Sequence, residues 1–515
     1  MNGAESLVRT LLQSGVDTCF ANPGTSEMHF VAALDRIPGM RCVLGLQENV
    51  VTGMADGYYR IANRPACTLL HCGPGLANGL ANLHNARRAQ SAIVNIVGDQ
   101  ATYHRPFDAP LTTDTEALAR TVSGWVRTSM NVANVGRDAA AAIQAAWSTP
   151  AQIATLILPS DTSWNEGGIV ATALPASAPA PLDPFVVQHA AHILRKEGSS
   201  TLLLLGGKAV LGRAQMLAWR IARASGATLM TDGVGIQPNG QGFLAIEDLP
   251  YNLDRAIAAL QGFKHIILVD TKAPVGFFAY PGKPSQKYAS DTQLHVLSRY
   301  DQDALVALQA LVDELSAPEV ALPPAGLRPQ PAHGTITPES LAQTVAALLP
   351  EHAIVSDEGL TFGYLCSSAA QAAAPHDWLS LTGGAIGDGL PMATGAAIAS
   401  GGQRRVLSLQ ADGSAMYSLQ ALWTQAREQL PCTTILLNNR SYNILISEYK
   451  NVGATPGKTA MSMLDLGNPP LEWVKIANGM GVEAAQAHTM EACADLMAQS
   501  FKQPGPFLIE LMIGA

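Results

Sequence analysis

Asp412 and Asn439 lie 27 positions apart, the first within Leu409-Gln-Ala-Asp-Gly-Ser-Ala415 and the second within Thr434-Ile-Leu-Leu-Asn-Asn-Arg-Ser441. Each ends an apolar run that reads as a buried parallel strand, so both side chains are expected at one edge of one sheet. Such an edge suits a hard divalent cation. Mg²⁺ takes about six oxygen ligands and combines one or two protein carboxylates or carbonyls with phosphate oxygens. An aspartate, an asparagine amide and a nearby backbone carbonyl meet that need. Asp-Gly and Asn-Asn are also common turn sequences, and two ordinary strand-end loops are the plainer alternative.

Two further residues could do chemistry near the other end of the chain. Glu48 closes the short apolar strand in Val43-Leu-Gly-Leu-Gln-Glu-Asn49 and precedes a helical stretch, Thr52 to Arg60. Burial there would raise its carboxyl pKa, whereas a capping or ion-paired glutamate is the ordinary alternative. His71 lies in Leu69-Leu-His-Cys-Gly-Pro-Gly-Leu-Ala-Asn78, a strand leading into a glycine-rich turn and a helix. Its imidazole titrates near neutrality and could move protons, although a lone loop histidine is more often structural.

The elements that must hold these residues follow from patterning. Apolar strand-like runs such as Ala92-Ile-Val-Asn-Ile-Val97 and Thr201-Leu-Leu-Leu-Leu205 alternate with helical periodicity along the whole chain, which argues for α/β domains with parallel sheets. Two stretches rich in proline and small residues, 165–184 and 317–334, cannot continue a helix or sit in a central strand. They divide the 515 residues into three blocks, 1–165, 185–316 and 335–515. Hydrophobic residues reach 48% and charged residues only 14%, suggesting large buried surfaces and subunit interfaces. A net charge of −9 argues against a nucleic-acid partner. The N-terminus lacks a signal peptide's apolar core and no apolar run approaches a membrane span, so no membrane association and a cytoplasmic location are expected. The seven scattered cysteines, without a Cys-x-x-Cys pair, fit reduced thiols. Leu202 to Gly212 begins like a dinucleotide-binding unit but lacks G-x-G-x-x-G, leaving an NAD-dependent oxidoreductase as a weak rival.

The Asp-Gly-Ser and Asn-Asn pair resembles the cofactor motif of the thiamine diphosphate (ThDP)-dependent enzymes, the family of acetolactate synthase, pyruvate oxidase and benzoylformate decarboxylase. Ala411 stands where that motif has its first glycine. The resemblance implies a pyrimidine-binding N-terminal domain, a middle domain and a diphosphate-binding C-terminal domain. It implies that Asp412, Asn439 and the carbonyl of Ser441 hold Mg²⁺, with Gly413, Ser414, Tyr417 and Thr361 against the diphosphate. Glu48 takes the place of the family's activating glutamate, which exchanges a proton with the aminopyrimidine. Phe20-Ala-Asn-Pro-Gly-Thr-Ser-Glu27 is similar to a benzoylformate decarboxylase loop. There Asn22 and Pro23 would border the cofactor and the Thr25 hydroxyl would meet the substrate carboxylate, unless Thr25 merely caps the next helix.

Gly75 and Asn78 belong to a Gly-Pro-Gly-x-x-Asn segment similar to acetolactate synthase, whereas His71 is similar to benzoylformate decarboxylase and implies a catalytic histidine. Thr382-Gly-Gly-Ala-Ile-Gly-Asp-Gly-Leu-Pro-Met392 resembles the segment whose apolar residue bends the cofactor. Ile386 would be that wedge and the Gly384 carbonyl an acceptor for the aminopyrimidine. Asp388 departs from the family's apolar residue and reads as an N-cap. Tyr442 is expected beside the cofactor, while Ile444, Leu445, Gln100, Phe107, and Phe277 or Phe278 are expected to shape the substrate pocket. After Val269 to Val275 the chain lacks the flavin-linked segment of acetolactate synthases, so FAD is not expected. The resemblance thus implies a ThDP- and Mg²⁺-dependent enzyme on 2-oxo acids, acetolactate synthase-like, in a homodimer or homotetramer. A benzoylformate decarboxylase-like lyase and a weakly active ThDP-binding homologue are the alternatives.

Overall fold

Three sheets organise the molecule in a computed structural model that describes residues 1–324 and 326–514. The first runs, in spatial order, Arg41–Leu44, Thr18–Ala21, Ala66–Leu70, Ile93–Asp99, Ile153–Pro159 and Trp125–Thr128, all parallel. The second has five parallel strands between Thr201 and Ser298. The third has seven, six of them parallel and drawn from Ile354 to Met512. Central strands such as Ile153–Pro159 and Cys432–Asn438 are buried along their entire length, because helices cover both faces and leave no side for alternating polar residues. Among the described residues, no helix is long and apolar enough to cross a membrane.

One strand departs from the block pattern. Ile236–Asn239, which lies in sequence within the middle block, pairs antiparallel with His376–Ser380 at the edge of the third sheet. Its residues are only half-buried, and nothing in their pattern marks which sheet they join. Residues 167–183 and 317–336 carry no helix or strand among those described.

The first and third sheets meet through two helices, Glu48–Ala62 and Gly389–Ala399. Both are buried along most of their length, the second on all sides. Small residues let the backbones touch. A methyl at Gly395 would lie 1.9 Å from the Met54 carbonyl oxygen, and one at Gly57 would lie 2.1 Å from that of Met392. The contact also buries an ion pair: Arg60 meets Asp56 at 2.5 Å and donates to the Ser380 carbonyl (2.8 Å) and the Thr382 hydroxyl (3.1 Å). Backbone oxygens cannot move aside as a flexible side chain can, so G395A should cost about 1–3 kcal/mol. A lowered apparent thermal midpoint would register it; a midpoint equal to wild type would mean that the helices separate without penalty.

Candidate active site

The chain turns sharply after strand Thr18–Ala21, through Asn22-Pro23-Gly24, into a short 3₁₀ turn, Thr25–Glu27. Glu27 is only 2% exposed. Its carboxylate accepts from the Gly24 N–H (2.8 Å) and the Ser26 hydroxyl (2.5 Å), and lies 2.9 Å from His71 Nδ1. With the carboxylate accepting, the His71 proton sits on Nδ1 and the Nε2 lone pair is free. Two glycines make the arrangement possible. A side chain at Gly24 would begin 2.2 Å from the His71 ring, and one at Gly98 would begin 1.7 Å from Glu27 Oε1.

Glu48 opens its helix, but the cap is Gln47, whose side chain accepts from the Asn49 and Val50 N–H groups. The Glu48 carboxylate is buried and accepts from Asn78 Nδ2 at 3.1 Å. Gly75 closes the group: a methyl there would meet Glu48 Oε1 at 3.2 Å and His71 Cβ at 3.3 Å. Glu48, His71, Gly75 and Asn78 therefore share one locus, with Ser26 and Glu27 added to it. Those two lie inside the Asn-Pro-Gly-Thr-Ser-Glu motif, directly after Thr25. Thr25 is exposed and caps nothing: Gly24 and Glu27 hold the N-cap positions of the two helices that follow. Asn22 and Pro23 border this locus on the turn. Gln100 follows the buried Asp99 and donates its N–H to that carboxylate (2.8 Å), while Phe107 is 76% exposed on the loop beyond.

A second locus forms at the edge of the third sheet. Strands Val406–Ala411 and Cys432–Asn438 pair in register, Ala411 opposite Leu437, which brings Asp412 beside the 439–441 loop. Asp412 accepts from the Gly413 and Arg440 N–H groups, each at 2.8 Å, and Asn439 Oδ1 accepts from the Ser441 N–H at 2.9 Å. Burial pushes the Asp412 carboxyl up to about 6, an anion poorly solvated by the protein alone that a cation would stabilise. Gly413 lies under the Tyr442 ring, 2.5 Å from where a methyl would project. Tyr417 covers Gly387 in the same way. Ser414 accepts from Gln410 Nε2 at 2.8 Å.

Thr361, on the short helix Leu360–Gly363, packs near the helix Asn443–Asn451 that carries Ile444 and the exposed Leu445. Ile386 is half-buried. From the middle block, Phe277 packs on Gly384, whose φ is +77°, and Tyr280 donates to Glu448 at 3.0 Å. Phe278 meets the Phe277 ring edge-on at 4.9 Å and Tyr251 meets it at a tilt at 5.3 Å. Among the described residues, no hydrogen bond joins the Glu48 locus to Asp412, Asn439 or Ser441.

Both loci fall within stretches that match known protein domains. The description "Thiamine pyrophosphate enzyme, N-terminal TPP binding domain" matches residues 1–119, and the corresponding C-terminal TPP binding domain matches residues 362–511. The chain is 51% identical over 518 residues to a Mycobacterium tuberculosis protein named "Putative acetolactate synthase large subunit IlvX", covering 100% of this chain and 99% of that one. The chain belongs to the thiamine diphosphate-dependent enzymes. Within that family it is also 28% identical to benzoylformate decarboxylase of Pseudomonas aeruginosa, over 97% of each chain. A 4-hydroxybenzoylformate decarboxylase of Rhodococcus jostii shares the fold, with a TM-score of 0.83 at 24% identity over 100% of this chain and 99% of that one. The two ThDP-binding domains thus carry the two loci, Glu48 on the first and Asp412 on the second.

In this ThDP enzyme Asp388 is not the cap that its position before helix Gly389–Ala399 suggests. Its side chain makes no capping bond, and both carboxylate oxygens are buried without a partner. Burial, reinforced by the neighbouring Asp56 charge, pushes its pKa well above the ordinary aspartate value. The folded protein therefore keeps a proton that the unfolded chain releases, and this contribution to stability is lost as pH rises from the ordinary aspartate range towards the folded value. D388N cannot ionise. Its thermal midpoint relative to wild type should climb as pH rises above the ordinary aspartate value of 3.8; parallel pH profiles would show Asp388 to be ionised in the fold.

Proposed function

We propose that the chain decarboxylates a 2-oxo acid with ThDP and Mg²⁺, in an active site completed by a second copy of itself. The observation that carries this reading is the division of labour between the loci. Glu48, held by Asn78, is a buried carboxyl able to exchange a proton with the pyrimidine ring. Asp412, Asn439 and the Ser441 carbonyl offer the hard oxygen donors that Mg²⁺ requires, with Gly413, Ser414, Tyr417 and Thr361 along the diphosphate. ThDP, when bound, supplies the electron sink for the bond to departing CO₂. Gly384 and Ile386 would set its conformation, and Tyr442 would cover it.

Among the described residues no hydrogen bond joins the two loci within one chain, and a homodimer, or a homotetramer built from two, would bring one copy's Glu48 to the other's Asp412. Exposed apolar side chains at both sheet edges support such an interface: Leu46 and Phe107 on one, Tyr417 and Leu445 on the other. The same closure would form the pocket from Thr25, Gln100, Phe107, Ile444 and Leu445. FAD has poor prospects in the middle domain. At its strand ends Asp232 and Asp270, pushed up by burial to about 6 and 7, crowd Gly206 and Gly207 where a nucleotide's phosphates would approach. Seven free thiols suit a cytoplasmic setting.

Carboligation to an acetolactate-type product is the favoured outcome, supported by the 51% full-length relative. Aldehyde release is the second reading. It is supported by His71, which on taking up a proton at Nε2 becomes an imidazolium stabilised by the Glu27 carboxylate at Nδ1 and placed to give that proton to the product carbon. Incubation with pyruvate, alone and with an aldehyde acceptor, followed by product analysis should show acetolactate or an acyloin. Acetaldehyde alone would favour the decarboxylase, and no CO₂ from any of a panel of 2-oxo acids would sink the whole assignment. E48Q should still be stabilised thermally by ThDP with Mg²⁺ while turnover drops by about 10²–10⁴-fold. Turnover equal to wild type would remove Glu48 from the chemistry.

A further inference from the structure

The Glu27–His71 pair has a third member that proton transfer does not use. A Glu27 carboxylate oxygen, a His71 ring nitrogen and Cys72 Sγ all lie within 4.8 Å of one another, the only such grouping of three metal-type donors among the described residues. The Ser26 hydroxyl sits in their midst, 2.5 Å from Glu27 Oε1, 3.2 Å from His71 Nδ1 and 3.1 Å from Cys72 Sγ. Zinc binds nitrogen and oxygen at roughly 2.0–2.2 Å and sulfur at about 2.3 Å, so its ligands stand roughly 3–4 Å apart. Glu27 Oε2 and His71 Nδ1, 2.9 Å apart, already stand near that spacing. The set is one sulfur, one nitrogen and one oxygen, with the Ser26 oxygen or a water for the fourth position. It differs in kind from the all-oxygen Asp412 locus, and ligand softness separates the ions each would take.

We propose that Glu27, His71 and Cys72 form a second metal site, for a borderline or soft divalent cation of the Zn²⁺ class, and that its occupation arrests the enzyme. Binding exchanges the Cys72 S–H proton for the ion and releases it to solvent. His71 moves its proton from Nδ1 to Nε2 and coordinates through Nδ1; no electron is transferred. The occupied site withdraws both the free Nε2 lone pair and the Glu27 carboxylate from proton handling. The inhibitory half rests on the reading of His71 as the proton-handling group, while the binding half does not. In the ion's absence burial pushes the thiol up to about 11, so it stays protonated and becomes a ligand only when a cation displaces the proton.

Cd²⁺ is the probe, because its bond to a thiolate absorbs in the ultraviolet independently of turnover. The full-length enzyme, loaded with ThDP and excess Mg²⁺, should develop that band with saturation at one ion per chain, and Zn²⁺ should inhibit it without competition from Mg²⁺. C72S should lose the band and resist Zn²⁺ by about tenfold or more, since loss of a ligand costs at least as much as loss of an outer partner. C42S, which removes the one exposed thiol, should behave as wild type. E27Q keeps the thiol and should weaken Cd²⁺ binding, which preserves the test if C72S folds poorly. A band retained in C72S, or undiminished affinity in E27Q, overturns the site. A chain inactive on every 2-oxo acid would still report binding through the band, so failure of the functional reading and failure of the site are distinguishable.

Discussion

The two cofactor-binding domains are set against each other by one contact, the backbone-to-backbone packing of helix Glu48–Ala62 against helix Gly389–Ala399. The first begins with Glu48; the second follows directly from Ile386, Gly387 and Asp388. A wider separation would shift Glu48 and the 386–388 segment relative to each other, and with them the two half-sites that each chain carries. Gly57 and Gly395 permit the approach, and the buried Asp56–Arg60 pair fixes its register, because Arg60 satisfies its remaining donors on Ser380, Thr382 and Met392 of the third domain. A buried pair of this kind adds little net stability over an apolar pair but penalises every alternative docking that leaves a charge unpaired.

A second buried carboxylate carries that placement to the Asp412 turn. Glu358 accepts from the Gly387 and Gly389 N–H groups, each at 2.7 Å, and from Gln410 Nε2 at 3.0 Å, and Gln410 also donates to Ser414. Residues 387–389 and the Asp412–Ala415 turn are therefore attached to one side chain. Phe277 and Tyr280 then bring the middle domain onto the same surface, at Gly384 and Glu448. Three domains converge on residues 384–389 through contacts that tolerate little slack.

The loci were legible in the sequence to different depths for physical reasons. Asp412 and Asn439 could be placed because fully buried parallel strands read as unbroken apolar runs, and their ends are where polar residues first reappear. The start of the Glu48 helix was equally plain, although its cap lies one residue earlier. Glu27 was not legible: its burial depends on Gly98, seventy-one residues away, and on a histidine from a third segment. Asp388 occupies an N-cap position in sequence, yet the helix it precedes lies wholly inside the domain contact, so its oxygens face other buried groups instead of free N–H donors. The edge strand Ile236–Asn239 has no pattern of its own because its partner is a different sheet.

The chain's mixture of two subfamily signatures also has a structural logic. A histidine at position 71 needs volume that only a glycine at position 24 leaves, and it needs an acceptor on Nδ1, which Glu27 provides three residues beyond that glycine. The Asn-Pro-Gly-Thr-Ser-Glu turn and the His-Cys-Gly-Pro-Gly turn are therefore one unit, fitted to each other across adjacent parallel strands. The remainder of the second turn is fitted elsewhere: Gly75 makes room for the Glu48 carboxylate, and Asn78 donates to it. Histidine and Gly-Pro-Gly answer to different neighbours, so a single loop can carry both without conflict. On the proposed function, the fate of the product carbon then turns on which reaches it first, a protonated His71 on its Glu27 support or an acceptor molecule.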